Sequence, residues 1–414
     1  MIESFLLLGI IILVGFFSLI LFERTKLPDV LLLLLFGAII GPLTGIIQPA
    51  QFIGLAPFVG TLALIMVLLE GGLNLSLSKI VKRLPQASLF SVAVFLIGTG
   101  LSGAALHFLL GWDLLNALFL GAVVGGSSST IVMPILAQLS AGEEVKTLLS
   151  LESVITDVLC IVVALALLEI ISSNALDYSS AVQNIASAFT TAIVVGFLFS
   201  LFWIGVLRKF RGRSLGYVVT LAVMFILYAF NEAIGGSGAI AVLVFGLGLG
   251  NSVELAELFK WKGEFQIDAS IKKMQTEIAF FVRTFFFVYL GIIFNTNAFG
   301  TQVLIIVGLL LLALFAGRAL IVRGLGEANS LMKKYSVLLM TMAPRGLAAA
   351  VLAFIPSTMG VQIPFVVEAA FLVILLTNVL ASIGAFYYEH NHNQPQPSKP
   401  TPSKSKKKPR IITQ

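Results

Sequence analysis

Long apolar segments follow one another from residue 2 to residue 388 of this 414-residue chain. Charged residues make up only 11% of the chain, whereas soluble domains carry about 25%. About 20 consecutive apolar residues are enough for a helix to cross the hydrocarbon core of a bilayer. The pattern therefore predicts an all-α polytopic membrane protein with about 13 transmembrane helices. The predicted spans cover residues 2–22, 30–47, 55–75, 87–110, 115–139, 147–171, 181–207, 215–230, 236–250, 278–294, 303–322, 337–355 and 364–388.

The charges of the connecting loops predict the orientation of these spans. Lys and Arg residues occupy the odd-numbered loops, whereas the charges of the even-numbered loops are acidic, as at Asp113 and Asp177. Cytoplasmic loops of membrane proteins carry an excess of Lys and Arg. We therefore expect a multi-pass protein of the cell membrane with its N-terminus outside and its C-terminus in the cytoplasm. Basic residues follow the first span rather than precede it, which favours a retained helix over a cleaved signal peptide.

Residues 391–414 differ in composition from the rest of the chain. They are rich in Pro, Ser and Lys and predict a basic, disordered cytoplasmic tail, whose charge also suits anionic lipid. The net charge of +6 comes largely from this tail, so no nucleic-acid partner is predicted. Residues 254–273 mix charges with Trp261 and are interpreted as an amphipathic cytoplasmic connector.

The sixth predicted span carries two carboxylates and two hydroxyls near its middle. They belong to Glu152, Ser153, Thr156 and Asp157. Asp157 lies 11 residues from the polar boundary on one side and 12 from that on the other, or about 16–18 Å from either end. An ionisable side chain near the bilayer midplane costs at least about 2.5–3.5 kcal/mol. We therefore interpret this stretch as a place where an ion is bound and carried.

Helical spacing divides these four side chains between two stripes. Residues four apart share one face of a helix, so Ser153 lies beside Asp157 and Glu152 lies beside Thr156. The first stripe can offer a carboxylate and a hydroxyl to a cation. The second stripe can dock Glu152 against a basic residue, and Arg345 is its predicted partner in a structural ion pair.

Further charged residues fall inside other predicted spans. Arg283 and Arg345 lie 10 and 11 residues from the nearest inner-face lysine, or about 15 Å deep. Arg318 lies five residues before Arg323 and is expected to snorkel to the cytoplasmic surface. Glu70 lies at a depth comparable to that of Arg283 and Arg345. It either assists the ion site or neutralises Arg283, and the sequence favours neither role.

Helix breakers interrupt two predicted spans in mid-membrane. The fifth span contains GGSSST at residues 125–130 and then Pro134, and the twelfth contains Pro344, Arg345 and Gly346. Broken backbone is tolerated at this depth only where it lines a cavity or where neighbours satisfy it. The two spans are seven apart and so run in opposite directions, which fits an inverted repeat of spans one to six and eight to thirteen. Interrupted helices in corresponding halves indicate a transporter site.

Taken in order, these motifs resemble the monovalent cation/proton antiporter superfamily, to which the prokaryotic sodium/proton exchangers belong. The span-six motif is similar to that of the electroneutral branch, Glu-Ser-two residues-Asn-Asp, except that Thr156 replaces the Asn. The matching segments are Lys26-Leu27-Pro28 with Gly37 and Gly41-Pro42, Leu68-Leu69-Glu70-Gly71-Gly72-Leu73, Gly125-Gly126-Ser127-Ser128, Glu152-Ser153 with Thr156-Asp157, and Pro344-Arg345-Gly346.

The resemblance implies roles for individual residues. Asp157 is expected to hold a proton and a monovalent cation in turn, with Ser153 and oxygens near Thr130 as ligands. Thr156 and Glu70 complete the candidate set of ion- and proton-binding residues.

The resemblance also implies a division of a transmembrane antiporter domain at residues 1–390. A core bundle covers about 87–172 and 301–388, and a scaffold covers about 1–77 and 180–296. The core bundle is expected to move against the scaffold, and the scaffold to form a homodimer.

The predicted function is secondary active exchange of Na⁺ or Li⁺ for H⁺ by alternating access. With one carrier carboxylate, one-for-one electroneutral exchange is expected. A K⁺/H⁺ antiporter is the alternative, and a cation channel is disfavoured because channels favour rings of carbonyls or charges from several subunits. The three histidines, His107, His390 and His392, form no catalytic or metal-binding cluster, so neither an enzyme nor a cofactor is predicted.

Overall fold

The structure is a computed structural model. Its described part is entirely helical, with 17 α-helices and one π-helical turn. Residues 393–414 of the predicted basic tail and residues 261–268 of the predicted connector, including Trp261, lie outside the described residues. The described residues are 2–25, 27–48, 54, 56–75, 85–172, 178–209, 216–260, 269–294, 300–326 and 330–392.

The first six predicted spans form seven α-helices, because the fifth span is divided in two. In chain order they are α1 Ile2–Thr25, α2 Asp29–Ala38 with the π-turn Ile39–Leu43, α3 Ala56–Asn74, α4 Pro85–Leu110, α5 Leu114–Val123, α6 Ser129–Ala137 and α7 Glu143–Ser172.

The remainder of the described chain forms ten further helices. In chain order they are α8 Tyr178–Lys209, α9 Gly216–Ala233, α10 Gly238–Gly250, α11 Ser252–Leu258, α12 Ala269–Ile292, α13 Thr301–Gly326, α14 Ser330–Lys334, α15 Ser336–Thr341, α16 Leu347–Thr358 and α17 Val366–His392.

The helices agree with the prediction of a polytopic membrane protein. Within the described residues, seven helices are long and apolar enough to cross a membrane, and the bent pair α10 and α11, at 74° to each other, raises this number to eight. The other predicted spans fall on shorter apolar helices or on helices that a break divides. The count of 13 spans therefore stays a prediction.

The breaks in spans five and twelve are confirmed. Residues 124–128 separate α5 from α6, and residues 342–346 separate α15 from α16. The backbone N–H of Ser128 in the first break donates to the carbonyl oxygen of Pro344 in the second, at 2.8 Å. The two interrupted helices therefore cross at their breaks, as expected where non-helical backbone must find partners in the membrane.

Close backbone contacts at glycines fix the helices that carry the other buried charges. A Cβ atom at Gly37 of α2 would lie 2.2 Å from the carbonyl oxygen of Val288 in α12. One at Gly72 of α3 would lie 2.5 Å from that of Leu243 in α10. Small residues allow membrane helices to approach this closely. In the predicted inverted repeat, each span corresponds to the span seven places away. Spans two and ten, which form α2 and α12, then correspond to spans nine and three, which form α10 and α3. The two contacts therefore correspond to each other, and the repeat itself stays a prediction.

Candidate functional site

A narrow cleft lies at the helix crossing, between α3, α6, α7, α12 and α16. Apolar side chains of α3, α7, α10 and α16 form much of its wall. The polar and charged residues that line it are Glu70, Ser128, Ser129, Thr130, Asp157 and Arg283. Two carboxylates, three hydroxyls and one guanidinium therefore line one space at the crossing.

Ser129, the first residue of α6, holds the Asp157 carboxylate by two hydrogen bonds. Its Oδ2 atom accepts a hydrogen bond from the backbone N–H of Ser129 at 2.9 Å and another from the Ser129 hydroxyl at 2.8 Å. Ser129 begins α6, so the carboxylate lies at the N-terminus of a half-helix, where the helix dipole favours negative charge. Ser129 belongs to the predicted breaker run, but the sequence did not single it out as the partner of Asp157.

Three of the five predicted ion-binding residues share this cleft. Asp157, Thr130 and Glu70 all line it, and the Thr130 hydroxyl lies 3.0 Å from that of Ser128. Ser153 is buried, and its hydroxyl donates to a carbonyl oxygen within α7. Thus Ser153 does not lie on the cleft wall, although it is four residues from Asp157.

Thr156 contacts the break in span five and not the cleft. Its Oγ1 atom accepts a hydrogen bond from the backbone N–H of Ser127 at 3.1 Å and lies 3.2 Å from the Ser127 hydroxyl. The same hydroxyl donates to the carbonyl oxygen of Glu152 at 2.9 Å. Thr156 therefore ties α7 to the broken backbone of the crossing helix.

An equivalent tie holds the other break. The backbone N–H of Arg345 donates to Oγ1 of Thr377 in α17 at 3.1 Å, and Nδ2 of Asn378 donates to the carbonyl oxygen of Arg345 at 2.7 Å. Thr377–Asn378 thus meets the second break much as Thr156–Asp157 meets the first. Asn378 is the counterpart of Asp157, and its side chain is a neutral amide. An ionisable side chain therefore contacts only the first of the two breaks in this way.

The predicted ion pair between Glu152 and Arg345 is wrong, because Glu152 pairs with Arg318. Two contacts join them, at 2.5 Å from Nη1 to Oε1 and 2.7 Å from Nη2 to Oε2. Both side chains are almost fully buried, at 1% and 3% exposure, so the predicted snorkelling of Arg318 is also wrong. Arg318 points inward because a buried carboxylate without a counterion would be strongly destabilising. Its guanidinium also donates to the carbonyl oxygens of Leu339 and Met342.

Arg345 instead satisfies carbonyl groups that the breaks set free. Its Nε atom donates to the carbonyl oxygen of Val124 at 2.7 Å, and its Nη1 atom donates to that of Ala343. Val124 follows the last residue of α5, so the guanidinium lies at a helix C-terminus, which favours positive charge. The sequence did not predict that this guanidinium donates hydrogen bonds to the free carbonyl groups of both breaks.

Arg283 pairs with Asp29 at the start of α2, with 3.1 Å between Nη2 and Oδ2. None of the ion pairs among the described residues includes Glu70. Of the two roles left open for Glu70, the neutralisation of Arg283 is therefore taken by Asp29. Asp29 stands one residue before the predicted span 30–47, where acidic residues are usually solvated, so the sequence did not indicate this ion pair.

A family model described as "Sodium/hydrogen exchanger, transmembrane" matches residues 9–387 of the chain. The chain is 27% identical over 375 residues to Na(+)/H(+) antiporter 1 of Methanocaldococcus jannaschii, covering 86% of this chain and 83% of that protein. It is 30% identical over 202 residues to the K(+)/H(+) antiporter NhaP2 of Shewanella sp. strain MR-4, which covers 47% of this chain and 35% of that protein.

The fold is similar to that of a solved antiporter. The structure of the sodium proton antiporter MjNhaP1 from Methanocaldococcus jannaschii at pH 8 superposes with a TM-score of 0.77. The superposition covers 92% of this chain and 99% of that one, at 22% sequence identity.

Replacing Arg318 by Leu should destabilise the protein by about 3–5 kcal/mol, because the buried Glu152 carboxylate loses its counterion. Adding Glu152→Leu should recover most of this loss, since both charges are then removed. Thermal unfolding of the purified protein in detergent measures both effects. Rescue of Arg345→Leu, and not of Arg318→Leu, by Glu152→Leu would contradict this pairing.

Replacing Thr156 by Val should leave the buried N–H of Ser127 without its acceptor, at a cost of about 1–3 kcal/mol. Thr156→Ser keeps the hydroxyl and should retain the stability of the wild type. The same unfolding measurement compares the two variants. Equal stability of Thr156→Val and Thr156→Ser would show that this hydrogen bond does not stabilise the crossing.

Proposed function

The chain belongs to the sodium/hydrogen exchanger family, and from that premise we propose that it exchanges Na⁺ or Li⁺ for H⁺ across the membrane. The observation that carries the proposal is Asp157, a carboxylate at a helix crossing that faces a cleft and has no basic partner among the described ion pairs. Such a group must be neutralised by something that enters the cleft, either a proton or a cation.

The second oxygen of Asp157 is the proposed binding atom. Both hydrogen bonds from Ser129 end on Oδ2, and no donor among the described residues reaches Oδ1. The Glu70 carboxylate and the Thr130 hydroxyl line the same cleft and are proposed as further cation ligands. The family resemblance also implies Ser153 as a ligand, but its hydroxyl donates within α7 and does not line the cleft. Thr156 acts through its hydrogen bond to the break in span five.

Exchange follows from competition for one carboxylate. The carboxylate of Asp157 binds a proton or a cation, and not both at once. An empty, charged site would cost more to carry through the membrane interior than a neutral, loaded one. The core bundle is therefore expected to move only when loaded. One carrier carboxylate gives one cation per proton, which makes the exchange electroneutral.

The position of the cleft supports alternating access. Ser129, Asp157 and Leu347 line it from the proposed core bundle, and Glu70 and Arg283 line it from the proposed scaffold. Movement of one unit against the other would open the cleft to each side of the membrane in turn. We further propose that the scaffold forms a homodimer in the cell membrane, with the N-terminus outside and the C-terminus in the cytoplasm.

Proteoliposomes loaded with a pH-sensitive dye test the proposal. Added Na⁺ should dissipate the proton gradient of vesicles that contain the wild-type protein. In vesicles with Asp157→Asn, the rate of Na⁺-dependent proton exchange should fall at least about 100-fold, because the carrier group is lost. Glu143→Gln is the matched control, because it removes an exposed carboxylate that pairs with Lys146 and does not line the cleft. Exchange by Asp157→Asn at the wild-type rate would overturn the assignment.

The same vesicles distinguish the remaining alternatives. Addition of Li⁺, K⁺ and Rb⁺ in turn ranks the cations, and a response to K⁺ alone would identify a K⁺/H⁺ antiporter. An imposed membrane potential should leave the initial rate unchanged if exchange is electroneutral. A non-saturable, voltage-driven flux would indicate a channel.

A further inference from the structure

We propose that Asp29 is a positioning residue for the cation site: its ion pair with Arg283 keeps the Glu70 carboxylate free to bind the cation. This inference rests on the proposed function. It concerns the scaffold side of the cleft, where the ion pair lies beside a carboxylate that lines the same space.

Asp29 is fixed by its place at the beginning of α2. It is 7% exposed, its Oδ1 atom accepts a hydrogen bond from the backbone N–H of Val30 at 3.0 Å, and its Oδ2 atom contacts Arg283. A carboxylate in the first turn of a helix is favoured by the helix dipole. Oδ1 of Asp29 therefore has a hydrogen bond, whereas the buried Oδ2 atom has the ion-pair contact with Arg283 and no hydrogen bond among the described residues.

Arg283 is brought to Asp29 by the close packing of α2 against α12. A Cβ atom at Gly37 would lie 2.2 Å from the carbonyl oxygen of Val288, and one at Gly291 would lie 2.4 Å from that of Leu34. Backbone contacts this close leave little freedom for the two helices to separate. The distance between the two charged side chains is thus set by the backbone and not by flexible loops.

Arg283 and Glu70 would attract each other if Asp29 were absent. Both line the cleft and carry opposite charges. The guanidinium Nε atom of Arg283 has no hydrogen-bond partner within the described part of the chain, so its ion pair with Asp29 is its main restraint. An arginine released from Asp29 would compete with the transported cation for Glu70, because guanidinium pairs readily with carboxylates.

The charge balance of the cleft gives the size of the effect. With Asp29 ionised, the charge of Arg283 is balanced outside the cation ligands, and Asp157 and Glu70 together offer two negative charges. With Asp29 neutralised, Arg283 cancels one of them. The loss of one neighbouring opposite charge changes the binding of a proton by about one to three powers of ten, and a monovalent cation should respond similarly.

Asp29→Asn should raise the KM for Na⁺ about tenfold or more while changing the maximal exchange rate less than twofold. Asp29→Glu, which keeps the charge, should restore a KM close to that of the wild type. Glu143→Gln is again the control for loss of an ion pair elsewhere. A lower maximal rate with an unchanged KM in Asp29→Asn would mean that the pair is only structural and would overturn the inference.

A second comparison tests whether Asp29 acts through Glu70. In a Glu70→Gln background, the further change Asp29→Asn should leave the affinity for Na⁺ unaltered, because the Glu70 carboxylate that Arg283 would capture is absent and Asp157 is held by Ser129. Equilibrium binding of radioactive Na⁺ to the purified protein gives this result even where flux is low. An equal, additive loss of affinity in both backgrounds would contradict the inference.

The two proposals fail in different ways. Wild-type exchange of Na⁺ together with a wild-type KM for Asp29→Asn would overturn the role of Asp29 and leave the proposed function standing. The absence of Na⁺-dependent exchange by the wild-type protein would overturn the proposed function, and the inference with it.

Discussion

The interior of a membrane offers no water to unpaired backbone groups, and two helices of this chain are broken at their crossing. The breaks contact each other through the N–H of Ser128, and Thr156 and Thr377 accept the N–H groups of residues 127 and 345. The same arrangement presents the first N–H of α6 to Asp157. The bonds that make the crossing stable therefore also build the site, so the breaks and the carboxylate depend on each other.

Charge pairing determines which buried groups remain available to a ligand. Glu152 is neutralised by Arg318, and Asp29 by Arg283, each by an ion pair between helices that are distant in sequence. Arg345 contacts carbonyl oxygens and has no carboxylate partner among the described ion pairs. Asp157 and Glu70 are left facing the cleft, and their carboxylates favour the binding of a cation or a proton there.

The sequence predicted those features of the structure that depend on residues close together in the chain. The cost of a carboxylate at the midplane identified Asp157, and Gly and Pro within apolar runs located both breaks. The pairing of Glu152 and the position of Arg318 were wrong, because distance along one helix does not show where a flexible arginine finds its nearest buried carboxylate. Asp29 was missed for a related reason: its burial results from the packing of α12 against α2, which no local pattern records.

If one carboxylate holds either a proton or a cation, the binding of a cation must release a proton, and this release can be measured. Purified protein in weakly buffered solution is titrated with Na⁺, and the released protons are counted with a pH indicator. We expect the wild type to release close to one proton for each Na⁺ that it binds, and Asp157→Asn to release none. Binding of Na⁺ by the wild type without proton release, across the pH range of exchange, would contradict it.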